Sequence, residues 1–334
     1  MLNVYGAANG CLTELPATAE GLPPEAVWLD LVEPTANEES KVEAVLGIDI
    51  PTREELAEIE ASSRLYQEDG AVFMTANLIR RGENDEPESS PVTFIIKDNT
   101  LITVRYHHPQ AFPAYVKRAM RPQSTAMNGW GILISLLEAV VDRAADHLER
   151  AGQIVDETSK KTFGAKRTLG GVHKQNPRKG VNLQELIERI GEEGDFVSKM
   201  RESLVSIGRA VAFMQAVEDQ ARENKQVKEN KARIKILQRD IVSLTDHATF
   251  LSGKISFLLD AVLGLISIEQ NGIIKIFSVA AVVFLPPTLV ASIYGMNFAF
   301  MPELQWQLGY PFAIGLMILS AVLPYYYFKG KGWL

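Results

Sequence analysis

Two long apolar segments near the C-terminal end constrain this chain more than any other feature. The first covers 273–294 and carries one charged residue, Lys275, and the second covers 310–328. A helix rises about 1.5 Å per residue, so about 20 apolar residues cross the roughly 30 Å of hydrocarbon in a bilayer. We therefore predict two transmembrane helices over these ranges, joined by a short external loop over 295–309.

The distribution of basic residues predicts the orientation in the membrane. Lys254 and Lys275 lie near the start of the first span, and Lys329 and Lys331 follow the second, whereas the loop between the spans contains neither Lys nor Arg. The positive-inside rule then places the large N-terminal part and the basic tail, 329–334, in the cytoplasm. We expect a multi-pass protein of the inner (plasma) membrane. A net charge of -7 gives no basic footprint for a nucleic-acid partner.

The rest of the chain divides by its sequence patterns. Residues 1–125 alternate strand and helix patterns and predict a cytoplasmic α/β domain. Residues 126–225 predict long helices interrupted by a basic loop at 159–180, and 226–272 predict a stalk helix that continues into the first span. The fold class is therefore an α/β cytoplasmic domain followed by long helices. The single cysteine, Cys11, excludes a disulfide framework or a Cys-rich metal site within one chain.

Two helices cannot enclose an aqueous path, so a transporter built from them has to oligomerise. A repeat of 3.5 residues marks a small and polar seam on the first span, which we interpret as pore-lining: Asn271, Ile274, Ser278, Ala281, Leu285, Thr288, Ser292 and Gly295. The alternative is that small residues only allow close helix packing. Extended backward, the repeat reaches Asp260 and Asp246, and rings of such carboxylates concentrate cations.

A sequence motif closes the first span. Gly-Met-Asn occupies 295–297, and Met-Pro-Glu-Leu follows at 301–304 in the loop. Within the span stand Asn271 and the Phe-Leu-Pro-Pro-Thr run at 284–288. In this order, between two spans, these segments resemble the CorA family of magnesium transport proteins, and the strong part of the resemblance covers about 230–334.

The resemblance implies a funnel-shaped homopentamer that carries divalent metal ions. Its selectivity filter would consist of Gly295, Met296 and Asn297, with Glu303 in the external loop. Asn271 would form a second polar ring, and Thr288 would offer hydroxyl groups to the pore. Hydrophobic constrictions would be formed by Leu285 and by Ile274 with Phe277.

Function is implied in the same way. The family mediates Mg²⁺ influx and closes when cytoplasmic Mg²⁺ binds between subunits, so Mg²⁺ is expected as both cargo and regulator, without an organic cofactor. Co²⁺ and Ni²⁺ are further expected cargo, because a filter acting on the hydrated ion discriminates mainly by size. The sequence does not assign the regulatory carboxylates; the candidates are Asp240, Asp246, Asp260, Glu86 and Glu88.

Three alternatives remain open. A Zn²⁺ transporter resembling the ZntB branch, coupled to protons, is the nearest, although that branch departs from Gly-Met-Asn and the seam holds no His or Cys for zinc. A membrane-anchored enzyme would need a constellation that no motif reveals, since phosphate-loop, dinucleotide and H-E-x-x-H patterns are missing from the sequence; we predict no enzymatic activity. A membrane-tethered sensor would have no use for a polar seam.

Overall fold

A computed structural model describes most of the chain. The contacts within the chain divide it into two compact units, Met1–Leu258 and Leu259–Leu334. Each unit is described by itself below. The described residues are 1–16, 22–56, 64–81, 87–122, 127–163, 182–222, 224–297, 301–302 and 306–332.

Seven strands form one mixed sheet in the first unit: β1 (Leu2–Ala8), β2 (Cys11–Leu15), β3 (Ala26–Val32), β4 (Leu65–Glu68), β5 (Ala71–Arg81), β6 (Pro87–Lys97) and β7 (Thr100–Arg105). Their order is β2-β1-β3-β7-β6-β5-β4, with β3 and β7 parallel and the other pairs antiparallel. The β6–β7 hairpin turns at Asp98, whose φ is 54°. Lys97 and Thr100 are the last paired residues before this turn.

The helices, in chain order, are α1 (Ala36–Leu46), α2 (Arg53–Leu56), α3 (Ala111–Ala119), α4 (Gly129–Phe163), α5 (Leu183–Gln220), α6 (Lys225–Tyr294) and α7 (Gly309–Gly330). α4 continues to Phe163, so the first residues of the predicted basic loop, 159–163, are helical. The remainder of that loop, 164–180, lies outside the described residues.

Each face of the sheet carries its own apolar core. One face packs with α3, α4, α5 and the first part of α6 around Trp28, which is fully buried. The ring of Tyr5 stacks on Trp28 at 4.7 Å between centroids, and Tyr115 meets it edge-on at 5.9 Å. The other face holds a smaller cluster with α1 and α2, which includes Val42 and Leu56. The expectation of an α/β domain followed by long helices is confirmed.

Tight backbone contacts fix the long helices on this sheet. Gly129, at the start of α4, donates its N–H to the carbonyl of Asn99 at 2.8 Å. A Cβ at Gly129 would lie 2.8 Å from the carbonyl carbon of Thr100, so only glycine allows α4 to begin there. On α5, the Ser203 hydroxyl donates to the carbonyl of Asn77 at 2.6 Å, which ties that helix to β5.

The second unit contains the end of α6 and the whole of α7. Both helices include a window long and apolar enough to cross a membrane, with mean hydropathies of 2.2 and 1.5. Only 6% of either window is buried within the chain, which is unlike the core helix of a soluble protein. The structure therefore supports two candidate transmembrane helices.

Candidate ion pathway

The predicted seam lies on one exposed face of α6. All eight of its positions, from Asn271 to Gly295, are exposed in the single chain. The three bulky apolar residues near it are among the most exposed, with Ile274 at 60%, Leu285 at 65% and Phe277 at 72%. No described residue of the same chain packs over this face closely enough to bury it.

The less exposed residues of α6 lie on the opposite side of the helix. Between Asn271 and Tyr294, the half-buried or buried residues are Gly272, Val279, Ala280, Val283, Pro286, Pro287, Val290 and Tyr294. At about 100° per residue, these positions centre roughly half a turn away from the seam. Val279 is the most enclosed, with 4% of its surface exposed. One helix face is thus occupied within the chain, and the seam is left for a partner or for water.

α7 also shows a sheltered face, and half of its positions are small residues. Its half-buried or buried positions include Gly309, Ala313, Ser320 and Ala321, at the spacing of one helix side. Ala313 is 8% exposed. Small residues at this spacing allow two membrane helices to approach closely.

Two local features lie in the middle of the seam. The Thr288 hydroxyl donates to the carbonyl of Phe284 at 2.7 Å, which leaves its oxygen lone pairs as acceptors on the exposed seam. Pro286 and Pro287 stand inside the helix and have no N–H to give to the carbonyls of the preceding turn. α6 remains helical through them.

The outer end of α6 is a tight turn. The N–H of Gly295 donates to the carbonyl of Ala291 at 2.9 Å, and that of Met296 donates to Ile293 at 3.3 Å. Asn297 follows as an exposed residue. The predicted loop residue Glu303 lies outside the described residues.

The candidate regulatory carboxylates have different surroundings. Asp240, Asp246 and Asp260 are all exposed on α6. Glu88, in contrast, pairs with Arg80, whose Nε donates to it at 2.7 Å. Glu86 lies outside the described residues. Within the described part of the chain, no group of three or more His, Cys, Asp or Glu side chains is arranged to hold a metal ion.

The comparisons with known proteins decide the family. The model of the "CorA-like Mg2+ transporter protein" family matches residues 24–329. The chain belongs to the CorA family. Its relatives include the magnesium transport proteins CorA of Escherichia coli (strain K12) and Salmonella typhimurium, each 37% identical over 334 residues that cover 100% of both chains.

Solved structures show the same fold as this CorA-family chain. The complete CorA magnesium transporter from Methanocaldococcus jannaschii aligns with a TM-score of 0.74 at 19% identity, over 100% of this chain and 99% of that one. The ZntB cytoplasmic domain from Vibrio parahaemolyticus aligns with a TM-score of 0.57 at 12% identity, over 79% and 97%. The fold of the cytoplasmic part is thus similar in a CorA structure and in a ZntB cytoplasmic domain.

An acidic row on α4 lies close to one candidate and is missing from the sequence-based predictions. Glu138, Asp142 and Asp146 recur every four residues, which places them on one side of the helix. The pKa of Asp142 is raised by burial, an effect that Arg118 opposes and that the charges of Glu138, Asp146 and Asp240 reinforce. The four-residue spacing of this row can be found in the sequence. The proximity of Asp240 to the row cannot, because it depends on how α4 and α6 pack.

Proposed function

We propose that five copies of this chain surround one axis and admit Mg²⁺ to the cytoplasm along the seam of α6. One observation carries the proposal: the polar and small seam is exposed over its whole length, while the opposite face of the helix is sheltered. A row of hydroxyl and amide groups that faces lipid is energetically unfavourable, because the groups find no hydrogen-bond partners there. Water enclosed by equivalent helices would provide these partners. α7 then forms the outer ring.

The chemistry of the seam suits a hydrated cation. Mg²⁺ releases its water reluctantly and prefers oxygen ligands. Rings of amide oxygens from Asn297 and Asn271 would hydrogen-bond the water shell without removing it, and they bind weakly enough to let the ion leave. Met296 and Gly295 complete the filter, where the glycine lets the backbone come close to the ion.

Apolar rings provide the gate. Leu285, and Ile274 with Phe277, would exclude water from a narrow pore, and a charged hydrated ion does not enter a dry constriction. The hydroxyl of Thr288 would accept hydrogen bonds from the water shell of the ion between the filter and Leu285. Conduction is then passive, driven by the membrane potential, and needs no enzymatic activity and no organic cofactor.

Regulation by cytoplasmic Mg²⁺ would act between subunits. The regulatory site would combine carboxylates of two neighbouring subunits. Asp240 and Asp246 are exposed for this purpose, and Asp260 would form a ring below the entrance. Bound Mg²⁺ offsets their repulsion and favours the closed state, which is a population shift. Glu88 is a weaker candidate because it already pairs with Arg80.

Flux into proteoliposomes tests the proposal. Liposomes loaded with a Mg²⁺-sensitive dye would be compared for the wild type, Asn297→Ala, and a matched control, Gln307→Ala, which removes an exposed amide beyond the filter. We expect Mg²⁺ uptake by the wild type and the control and none by Asn297→Ala. The same vesicles with Co²⁺, Ni²⁺, Zn²⁺ and a pH dye define the cargo. Zn²⁺ uptake coupled to protons, with little Mg²⁺ flux, would contradict the proposal and favour a zinc transporter.

Protease protection tests the regulation. We expect Mg²⁺ to slow cleavage of the cytoplasmic part, and the protection to weaken in Asp240→Asn and Asp246→Asn. Glu202→Gln, an exposed carboxylate on α5, is the matched control. Equal protection of all the carboxylate variants would rule out these residues as the regulatory ligands.

A further inference from the structure

The C-terminal end of α7 combines exposed aromatic rings with positive charge. Tyr325, Tyr326 and Tyr327 are 41%, 65% and 62% exposed, and Lys329 and Lys331 come shortly after them. Because α7 is long and apolar enough to cross a membrane, its end lies where a chain passes from hydrocarbon to headgroups. Tyrosine is typical of that level, since its ring is apolar and its hydroxyl is polar.

The positive charge at this end has no acidic counterpart on the same helix. From Trp306 to Gly332 the sequence contains neither Asp nor Glu, and Lys329 and Lys331 are its only charged residues. Both lysines are exposed, and neither forms an ion pair with a carboxylate in the described part of the chain. The two charges are therefore not neutralised within the described chain.

The carbonyl groups that end α7 are satisfied by the backbone instead of by these side chains. The backbone N–H of Lys331 donates to the carbonyls of Tyr327 and Phe328 at 3.1 and 3.2 Å. The N–H of Gly332 donates to the carbonyl of Lys329 at 3.1 Å. Because backbone groups cap the helix end, it does not need the lysine ammonium groups as donors.

Lys329 lies beside two of the tyrosines. Its ammonium nitrogen is 5.9 Å from the centroid of the Tyr325 ring, four residues earlier on the same side of the helix. A cation over an exposed ring is attracted weakly and keeps its N–H groups for other acceptors. The rings of Tyr325 and Tyr326 meet edge to face at 5.7 Å between centroids. One exposed side of the helix end thus carries an ammonium group and two phenols.

We propose that this end of α7 binds the headgroup of an anionic phospholipid, with Lys329 and Lys331 as its charged contacts. The ammonium groups attract the phosphate oxygens, and the tyrosine hydroxyls can donate to the same headgroup. A zwitterionic lipid gains less, because its headgroup brings a positive charge of its own toward the lysines. The apolar length of α7 continues from this site, so the acyl chains of the lipid would lie along the helix.

This inference rests on the membrane placement in the proposed function, and it does not depend on which ion passes along α6. In the proposed assembly α7 forms the outer ring, where lipid reaches its exposed side. A binding measurement that records no ion flux therefore separates the two proposals.

Quenching of tryptophan fluorescence by brominated lipid tests the proposal on the full chain. Trp333 follows Lys331 by two residues, and Trp306→Phe removes the tryptophan that precedes α7. The protein would be reconstituted without Mg²⁺ in phosphatidylcholine vesicles that contain increasing fractions of brominated phosphatidylglycerol or, in parallel, brominated phosphatidylcholine. A Trp333→Phe variant gives the background from Trp28 and Trp130, which lie in the first unit.

We expect the anionic lipid to bind about fivefold or more tightly than phosphatidylcholine, since each lysine near an anionic headgroup contributes about a factor of five. The preference should shrink in high salt, which screens exposed charges. Equal quenching by the two lipids would overturn the proposal. No quenching by either lipid would also overturn it, and would contradict the membrane placement of this helix end.

Three variants assign the preference to the two lysines. Lys329→Gln combined with Lys331→Gln should abolish it, whereas Lys331→Arg keeps the charge and should retain it. Lys225→Gln combined with Lys235→Gln is the matched control, because it removes two exposed charges from the part of α6 in the first unit. The proposal fails if the double variant on α7 keeps the preference, or if the control loses as much of it.

Discussion

Gly295 donates its backbone N–H to the carbonyl oxygen of Ala291 at 2.9 Å, and a Cβ at Gly295 would lie 3.0 Å from that same oxygen. The turn that ends α6 is therefore closed against its own helix, and a side chain at Gly295 would crowd this carbonyl oxygen. Since Asn297 follows two residues later, the position of its amide depends on this turn.

We predict that Gly295→Ala lowers Mg²⁺ flux by about tenfold or more, because an added methyl group opens the turn and displaces the filter, and a loss of about 1.4 kcal/mol is tenfold in rate. Flux per reconstituted protein measures this effect. Gly315→Ala on α7 is the control, since a Cβ there meets nothing within 4 Å. Unchanged flux in Gly295→Ala would mean that the turn does not position the filter.

The buried ion pair of Asp30 and Arg105 predicts a large effect on stability. Arg105 donates through Nε at 3.0 Å and through Nη2 at 2.8 Å, and both side chains are at most 7% exposed. Arg105→Met would leave the Asp30 carboxylate buried without its partner, which costs about 3–5 kcal/mol. Denaturant unfolding, followed by tryptophan fluorescence, measures the loss.

Arg80→Met provides the comparison for that prediction. Its partner Glu88 is 51% exposed, so water screens the pair although the atoms are as close. We expect a cost of about 0–1 kcal/mol. Equal losses in Arg80→Met and Arg105→Met would show that burial does not control the contribution of these pairs.

The sequence was informative where a pattern is local. The 3.5-residue repeat from Asn271 to Ser292 needs only the geometry of one helix, and all its positions share one exposed face. The strands β1 and β2 are absent from the sequence-based predictions, although Asn9-Gly10 between them is a strong hairpin signal. Both residues adopt positive φ, 53° and 73°.

Contacts between distant segments could not be predicted in this way. Arg233 and Glu138 are 95 residues apart, and their pairing follows from the packing of α4 against α6. Asp142 and Asp240 are brought close by the same packing. Neither propensity nor spacing contains that information, so these two pairings between α4 and α6 became visible only in the structure.

Glu218 predicts an unusual dependence of stability on pH. It is 3% exposed, one of its oxygens has no partner among the described residues, and burial raises its pKa despite a hydrogen bond from Asn230. A raised pKa means that the folded state binds the proton more tightly than the unfolded state does. This contribution to stability is therefore fully present below the unfolded pKa, and it is lost as the pH rises through the folded pKa.

Glu218→Gln should stabilise the protein at pH 7 by about 1 kcal/mol, since it removes a buried charge and keeps an oxygen for Asn230. The gain should disappear toward pH 4. Denaturant unfolding at both pH values, with Glu202→Gln as an exposed control, measures the difference. A loss of stability at pH 7 would show that the Glu218 carboxylate is held by a favourable interaction.

A substitution at Thr288 tests the role of the seam in ion flux without changing the stability of the helix. Its hydroxyl donates within α6, to Phe284, so Thr288→Val removes a polar group from the seam without breaking a contact to another helix. Losing one acceptor for a hydrated ion costs about 1 kcal/mol in the barrier, so we expect Mg²⁺ flux to fall by about five- to tenfold with unchanged thermal stability.

Ser320→Ala is the matched control, because the hydroxyl of Ser320 also donates within its own helix, to Met317 at 2.9 Å, but lies on the sheltered face of α7. It should leave flux unchanged, since that face would lie away from water. If Ser320→Ala lowered flux and Thr288→Val did not, the exposed face of α6 would not be the pathway, and the sheltered faces of the two helices would have to be reconsidered as the lining.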